Sequence, residues 1–417
     1  MNATRLLSLK ALFLSLVTIV LLRNQLWAQA AAPSASPVPA LPADIPATAE
    51  RYSFLLMGNL AGQQAMWTES DGTLHIFYQF NDRGRGPKLN SVLKVDANGI
   101  PVSESIAGND YLKSPVNETY SVAGGAARWR SDAEHGEKKL ASAAYYFPLN
   151  AAPAETGLLA QAALRSGGKV ALLPAGEARV ERAAELDIEA SGQKRHVALY
   201  AVSGLDFAPS YVWLREGDRF FASVSSWATV IPEGWESAAK ALLDKQNEVK
   251  QARAAELAAK LAHHPTQGIL FTHADVFNAH SGEILHDRYV LVNGNRITSV
   301  TDRMPHPGSP EMWSERSPLD IREKIIDAHG KTLLPGLWDV HAHVTDNDGL
   351  LNLAAGVTTV RDLGNDTDTL LARRKRIAEG KEIGTRIVIA GIIDGRGPYQ
   401  GPTKVLVSTE AEERGGR

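Results

Sequence analysis

The stretch Leu333–Val344, LLPGLWDVHAHV, sets two histidines two residues apart at the end of an apolar run punctuated by Pro335-Gly336. Side chains on a strand alternate between its faces with a period of two. Read as a strand, the run puts Asp339, His341 and His343 on one face and the small apolar Val340 and Ala342 on the other, where they would pack under helices. Two neutral imidazoles at adjacent positions of one face can reach a single divalent ion at about 2.0–2.1 Å per bond. A pair of ordinary hydrogen-bonded histidines is the plain alternative, and the surrounding pattern argues against it.

That pattern alternates: helix DGLLNLAAG, strand VTTVRDL, helix DTLLARRKRIAEG, strand RIVIAGIID. Strands and helices taking turns at this spacing imply parallel βα units, suited to a barrel or a doubly wound sheet. In a (β/α)8 barrel the active site is built at the carboxyl ends of the strands, where both histidines fall. The chain has no cysteine, so any metal must be held by histidine, carboxylate or modified lysine.

PGLWDVHAHV resembles the PGxxDxHxH signature of the amidohydrolase superfamily. AAGVTTVRDLG, Ala354–Gly364, resembles the second-strand segment of its imidazolonepropionase-like and metal-dependent dipeptidase branch, and VLVNGNRITSV and IIDAHGKTLLPG resemble its small β-sandwich. The resemblance implies one or two divalent ions, zinc above all, that activate water for attack on an amide-like carbon. It makes His341 and His343 metal ligands. Asp339, below them on the same face, would orient a ligand or serve as a plain hydrogen-bonded aspartate. Asp362, after TTVR, is read either as a neighbour of the site or as an N-cap or loop residue. GIIDGRGPYQGP, Gly391–Pro402, would lie over the site as a substrate loop with Asp394, Arg396 and Tyr399. The later ligands of the family, and its general-base aspartate, have no counterpart. A barrel takes about 250 residues, and three of its strands are expected here. Thr409-Glu410-Ala411-Glu412 opens a helix close to the last residue, so the reading is an apparently truncated, N-terminal part of such an enzyme, inactive alone.

Upstream, the expected organisation is a signal peptide over 1–30, an Ala/Pro-rich linker over 31–50, an antiparallel β domain over 51–229, a long amphipathic helix over 230–265, a small β-sandwich portion over 266–332 and the incomplete barrel over 333–417. Arg5 and Lys10, the run Ala11–Leu22 and Ala28-Gln29-Ala30 have the form of a cleavable export signal, too short for a stable membrane span. Losing its three cations takes the formal charge from −3 to −6. The β domain is read from LHIFYQF, SVLKV, VALYAV, YVWL and RFFASV with turns at Asp71-Gly72, Asn98-Gly99 and Glu216-Gly217. Tyr52, Trp67, Phe77, Tyr78, Trp213 and Phe220 are expected in its core. Adjacent His263 and His264 diverge on a helix and make a poor chelate.

A chain of net charge −3 without a basic, aromatic-interleaved stripe excludes nucleic acid as a partner. The expected partner is a small-molecule or dipeptide substrate, with an oligomer open. Two rivals stand beside the hydrolase: a deaminase of the same superfamily, and a secreted module in which residues 51–229 bind a ligand while the barrel is vestigial.

Overall fold

The computed structural model describes residues 38–263, 265, 268–304, 313–314, 317–318, 325–391, 393–395 and 405–415. The expected signal peptide, His264, Arg396 and Tyr399 lie outside them. Contacts divide the chain into two compact units, one reaching to Lys250 and including residues from Ile393 onward, the other Gln251–Ile392. Among the described residues no helix is long and apolar enough to cross a membrane, which says nothing of strands.

The first unit is mostly β. Its strands are β1 Glu50–Leu56, β2 Asn59–Thr68, β3 Leu74–Phe80, β4 Lys88–Val95, β5 Pro101–Asn109, β6 Pro115–Ala123, β7 Ala126–Arg130, β8 His135–Lys139 and β9 Tyr145–Tyr146. After helix α1, Pro153–Arg165, come β10 Lys169–Leu173, β11 Glu177–Ala190, β12 Gln193–Ser203, β13 Ser210–Arg215, β14 Arg219–Val224 and β15 Ala228–Pro232. All fifteen form one sheet, in chain order from β8 back to β1, then β15 back to β9. Neighbours are antiparallel except β9 and β10, whose parallel pairing is bridged by α1 as a crossover.

Strand parity sorts the core. Tyr52, Phe54, Ile76, Leu93 and Ile106 lie with Leu159, Ala160 and Ala163 of α1 in one cluster. Leu55, Leu199, Trp213, Phe221 and Ile231 form another with Trp235 and Leu242.

Two expectations are corrected here. The β domain contains a helix: Pro153 at its first position and Glu155 in its first turn are start signals, but the stretch buries small residues all round and shows no stripe. The long helix, α2, spans Ala239–Leu261, because 228–232 is a strand and Trp235 is buried among sheet residues before helical geometry begins. Its stripe runs through Leu242 to Gln246, whose Nε2 donates to the Val224 carbonyl at 2.9 Å.

In the second unit β16 Ile269–Phe277, β17 Ile284–Asn293, β18 Arg296–Thr301, β21 Ile325–Asp327 and β22 Thr332–Leu333 make one five-stranded sheet, beside a small pair of β19 Trp313–Ser314 and β20 Ser317–Pro318. Among the described residues the stretch expected as a β-sandwich portion forms one mixed sheet. Next, β23 Leu337–Ala342, β24 Val357–Asp362 and β25 Arg386–Ile389 form a three-stranded parallel sheet, with α3 Asp348–Ala354 and α4 Thr367–Ala378 as the intervening helices. This is a βαβαβ arrangement with the parallel strands expected from the sequence, and among the described residues it is open and does not close into a barrel. The chain ends with the parallel pair β26 Ile393–Gly395 and β27 Val405–Val407 and helix α5, Glu410–Gly415. The N–H of Glu412 donates to Thr409 Oγ1 at 3.3 Å.

Candidate metal centre

Gly336 stands just before β23, where nothing larger fits: a Cβ there would lie 2.1 Å from Thr358 Oγ1. The N–H of Leu337 then donates to the Gly356 carbonyl at 2.9 Å, beginning the parallel pairing with β24. Ala342 and Val344 pack with Val360, Leu370, Ile377 and Ile387 under α4. His341 and His343 point away from that core and are exposed. Their rings meet edge to face, with centroids 5.5 Å apart and an interplanar angle of 71°. Val340, expected under the helices, is 55% exposed, because the β23–β24 register shifts between Asp339 and Ala342 and breaks the alternation there.

Two rings sharing one ion at about 2.1 Å per bond have centroids no more than roughly 6.5 Å apart, so this spacing admits a shared ion. Asp339 Oδ1 accepts the backbone N–H of His341 at 3.0 Å, which turns that carboxyl toward the strand itself. No group of three or more His, Cys, Asp or Glu is placed to hold a metal among the described residues. The centre as described is a pair of imidazoles. Asp394 lies in β26, in the other unit, where its Oδ1 accepts the N–H of Gly395 at 2.8 Å. With Arg396 and Tyr399 outside the described residues, the expected substrate loop is not assembled as a whole.

Behind the histidines sits a support whose weight the sequence did not reveal. Asp362 is fully buried, and its carboxylate accepts the N–H groups of Val344 at 2.7 Å, Gly364 at 3.0 Å and Asn365 at 2.9 Å, and Asn365 Nδ2 at 2.6 Å. Burial alone would raise its pKa; the donors from Gly364, Val344 and Asn365 outweigh that and hold it below the usual carboxylate range. Of the roles weighed for Asp362, the loop role is the one built. Arg373 of α4, 5% exposed, donates through Nε to Glu382 Oε1 at 2.6 Å and through its other nitrogens to the carbonyls of Thr345 and Asp346. The segment after His343 is thus clamped from both sides. Asp before Leu-Gly in VTTVRDLG is the one local signal that pointed to such a turn.

A second histidine cluster lies on the five-stranded sheet. His273 Nδ1 bonds Asp287 Oδ1 at 2.8 Å, Tyr289 Oη lies 3.4 Å from His273 Nε2, and the His329 ring is 6.3 Å from that of His273.

No protein-family model matches the chain, and no curated protein does. Among solved structures it is similar to a putative prolidase from Bifidobacterium longum, 23% identical over 36% of this chain and 37% of that one, with a TM-score of 0.29. A bottromycin amidohydrolase is 24% identical over 39% of this chain and 32% of that one, TM-score 0.28. A Xaa-Pro dipeptidase with bound methionine is 20% identical over 35% of this chain and 42% of that one, TM-score 0.27. The chain spans about a third to two-fifths of the length of these structures. A likeness this partial says nothing by itself about what the chain acts on.

Proposed function

We propose that this chain carries part of an amidohydrolase-type, metal-dependent hydrolase acting on carbon–nitrogen bonds of small amides, cyclic amides or dipeptides. The observation that carries the reading is the side-by-side placement of His341 and His343, rings 5.5 Å apart, at the carboxyl end of a parallel strand. The PGLWDVHAHV pattern supports it. On this reading the βαβαβ sheet is the start of a (β/α)8 barrel, the ion is zinc, one or two in number, and the chain is exported.

The residues present fit a metal as two of its ligands. Both imidazoles are exposed, with ring centroids 5.5 Å apart. A bound ion would supply Lewis acidity, polarising a carbonyl and lowering the pKa of water. The chain's own contribution is to hold the two imidazoles: Ala342 and Val344 anchor the strand in the core between and beyond them, and Asp362 fixes the backbone one residue past His343.

Zinc titration by calorimetry tests this. The wild-type chain is expected to bind, more weakly than a three- or four-ligand site, and His341→Ala or His343→Ala to abolish binding. Equal binding by the double variant would sink the assignment. Hydrolysis of a dipeptide or cyclic amide that persists after dialysis against a chelator would sink the metal-dependent reaction.

A further inference from the structure

The first unit buries three glutamates that the hydrolase reading leaves unused. Glu104 on β5, Glu118 on β6 and Glu155 in the first turn of α1 are 5%, 2% and 1% exposed. A carboxylate removed from water needs a cation or a set of donors. Glu118 has the donors: Tyr146 Oη at 2.7 Å, the N–H groups of Leu149 at 2.8 Å and Asn150 at 3.0 Å, and Asn150 Nδ2 at 3.2 Å.

Glu104 and Glu155 are different. Glu155 Oε1 accepts Ser91 Oγ at 3.1 Å and the N–H of Ala152 at 3.0 Å, tying the start of α1 to β4. Its Oε2, like Glu104 Oε1, is buried without a donor among the described residues. Glu104 pairs with Leu93 of β4 on the buried face that also carries Ser91, and Ser91 bonds Glu155, so the two carboxyls are neighbours across the sheet–helix contact. No lysine, arginine or histidine is paired with either among the described residues. Ionised carboxyls only accept, so a bond between them requires a proton on one. The other titratable groups facing the pair are Glu118 and Tyr120 on β6 and Tyr145 and Tyr146 on β9, all acids. Nothing there offsets a second negative charge. Burial is the main cause raising both, Glu155 to about 8 and Glu104 well above the ordinary range, where Glu155 and Glu118 add to it.

We propose that the proton shared by Glu104 and Glu155 is a latch: while it is bound, residues 145–165 stay seated on the sheet, and its loss lets that segment lift away. Glu155 is placed for this because it belongs to the helix while its partners Ser91 and Glu104 belong to the sheet. Once the segment is released both acids, Glu155 on it and Glu104 on the sheet, return to an ordinary value near 4.3, so release sheds the shared proton. The sign follows: closure is strongest in acid, and release grows up to about tenfold per pH unit above roughly pH 5, levelling off where the seated pair itself loses its proton.

Hydrogen exchange of the α1 amides in the full chain, corrected for intrinsic rates, reads this at three values between about pH 5.5 and 7.5. Protection in the wild type is expected to fall up to about tenfold per unit. In the Glu104→Gln/Glu155→Gln double variant neither side chain titrates, so the slope should vanish while protection remains; Glu118→Gln should keep the slope. Wild-type protection that is flat with pH overturns the latch, and so does a slope in the double variant equal to the wild type's. Should the double variant fail to fold, the wild-type slope decides alone.

Discussion

The carboxylate of Asp362 accepts the backbone N–H of Val344 at 2.7 Å, joining the end of β24 to the residue that follows His343. One buried side chain thereby fixes two strand ends and the Gly364–Asn365 turn. Asp362→Ala would leave the buried N–H of Val344 and the half-buried N–H groups of Gly364 and Asn365 without their acceptor, at a cost of about 2–4 kcal/mol. Thermal unfolding should show the loss, and zinc affinity should fall with it. Stability within about 0.5 kcal/mol of wild type would show that the carboxylate is dispensable.

The same group sets an acid limit. Its folded-state pKa is depressed, so its stabilisation is present above the unfolded value near 3.9 and is lost as pH falls through the folded value. Wild-type stability should therefore drop more steeply below about pH 4 than that of Asp362→Asn, which has no charge to lose. Parallel acid profiles for the two proteins would contradict this.

Arg373 and Glu382 make a further prediction. Their side chains are 6% and 10% exposed and meet at 2.6 Å, and Glu382 also holds Arg376 at 3.0 Å. Glu382→Gln strands a buried guanidinium with a neutral partner, costing about 3 kcal/mol. Arg373→Lys keeps the charge but loses the fork that reaches Glu382 and the Thr345 and Asp346 carbonyls together. Both variants should lower the unfolding midpoint, and a lysine variant as stable as wild type would show that the fork is not needed.

What the sequence made legible follows from local periodicity. The two-residue period put His341 beside His343, and the alternation of strand and helix around Val357–Asp362 gave parallel pairing, both of which the backbone can specify over a few residues. Val340 escaped because a register shift is a property of two strands, visible only once β24 is in place. The fifteen-stranded order was not legible for the same reason. β1 lies between β2, its neighbour in sequence, and β15, where Tyr52 pairs with Pro232. Asp362 was weighed for two roles, and only the positions of Val344 and Asn365 decide between them. Helix α1 was lost to its own setting: a helix enclosed by the sheet needs small residues on several sides, and that erases the stripe by which helices are recognised.

That enclosure predicts an inverted glycine effect. In an exposed helix Gly→Ala stabilises by about 1 kcal/mol. At Gly157 a Cβ would stand 2.7 Å from Phe220 Cδ2 and 3.0 Å from Phe220 Cβ. Phe220 is 3% exposed, and its ring is 5.3 Å from that of Tyr52, whose hydroxyl bonds Glu50 at 3.0 Å. The ring has little room to retreat, and overpacking of this kind costs about 1–3 kcal/mol. Gly157→Ala should therefore lower the urea midpoint at constant slope, by a net of about 1 kcal/mol. In a Phe220→Leu background, where the ring is absent, the same substitution should cost less or stabilise. A Gly157→Ala protein more stable than wild type would mean that α1 is not pressed against β14.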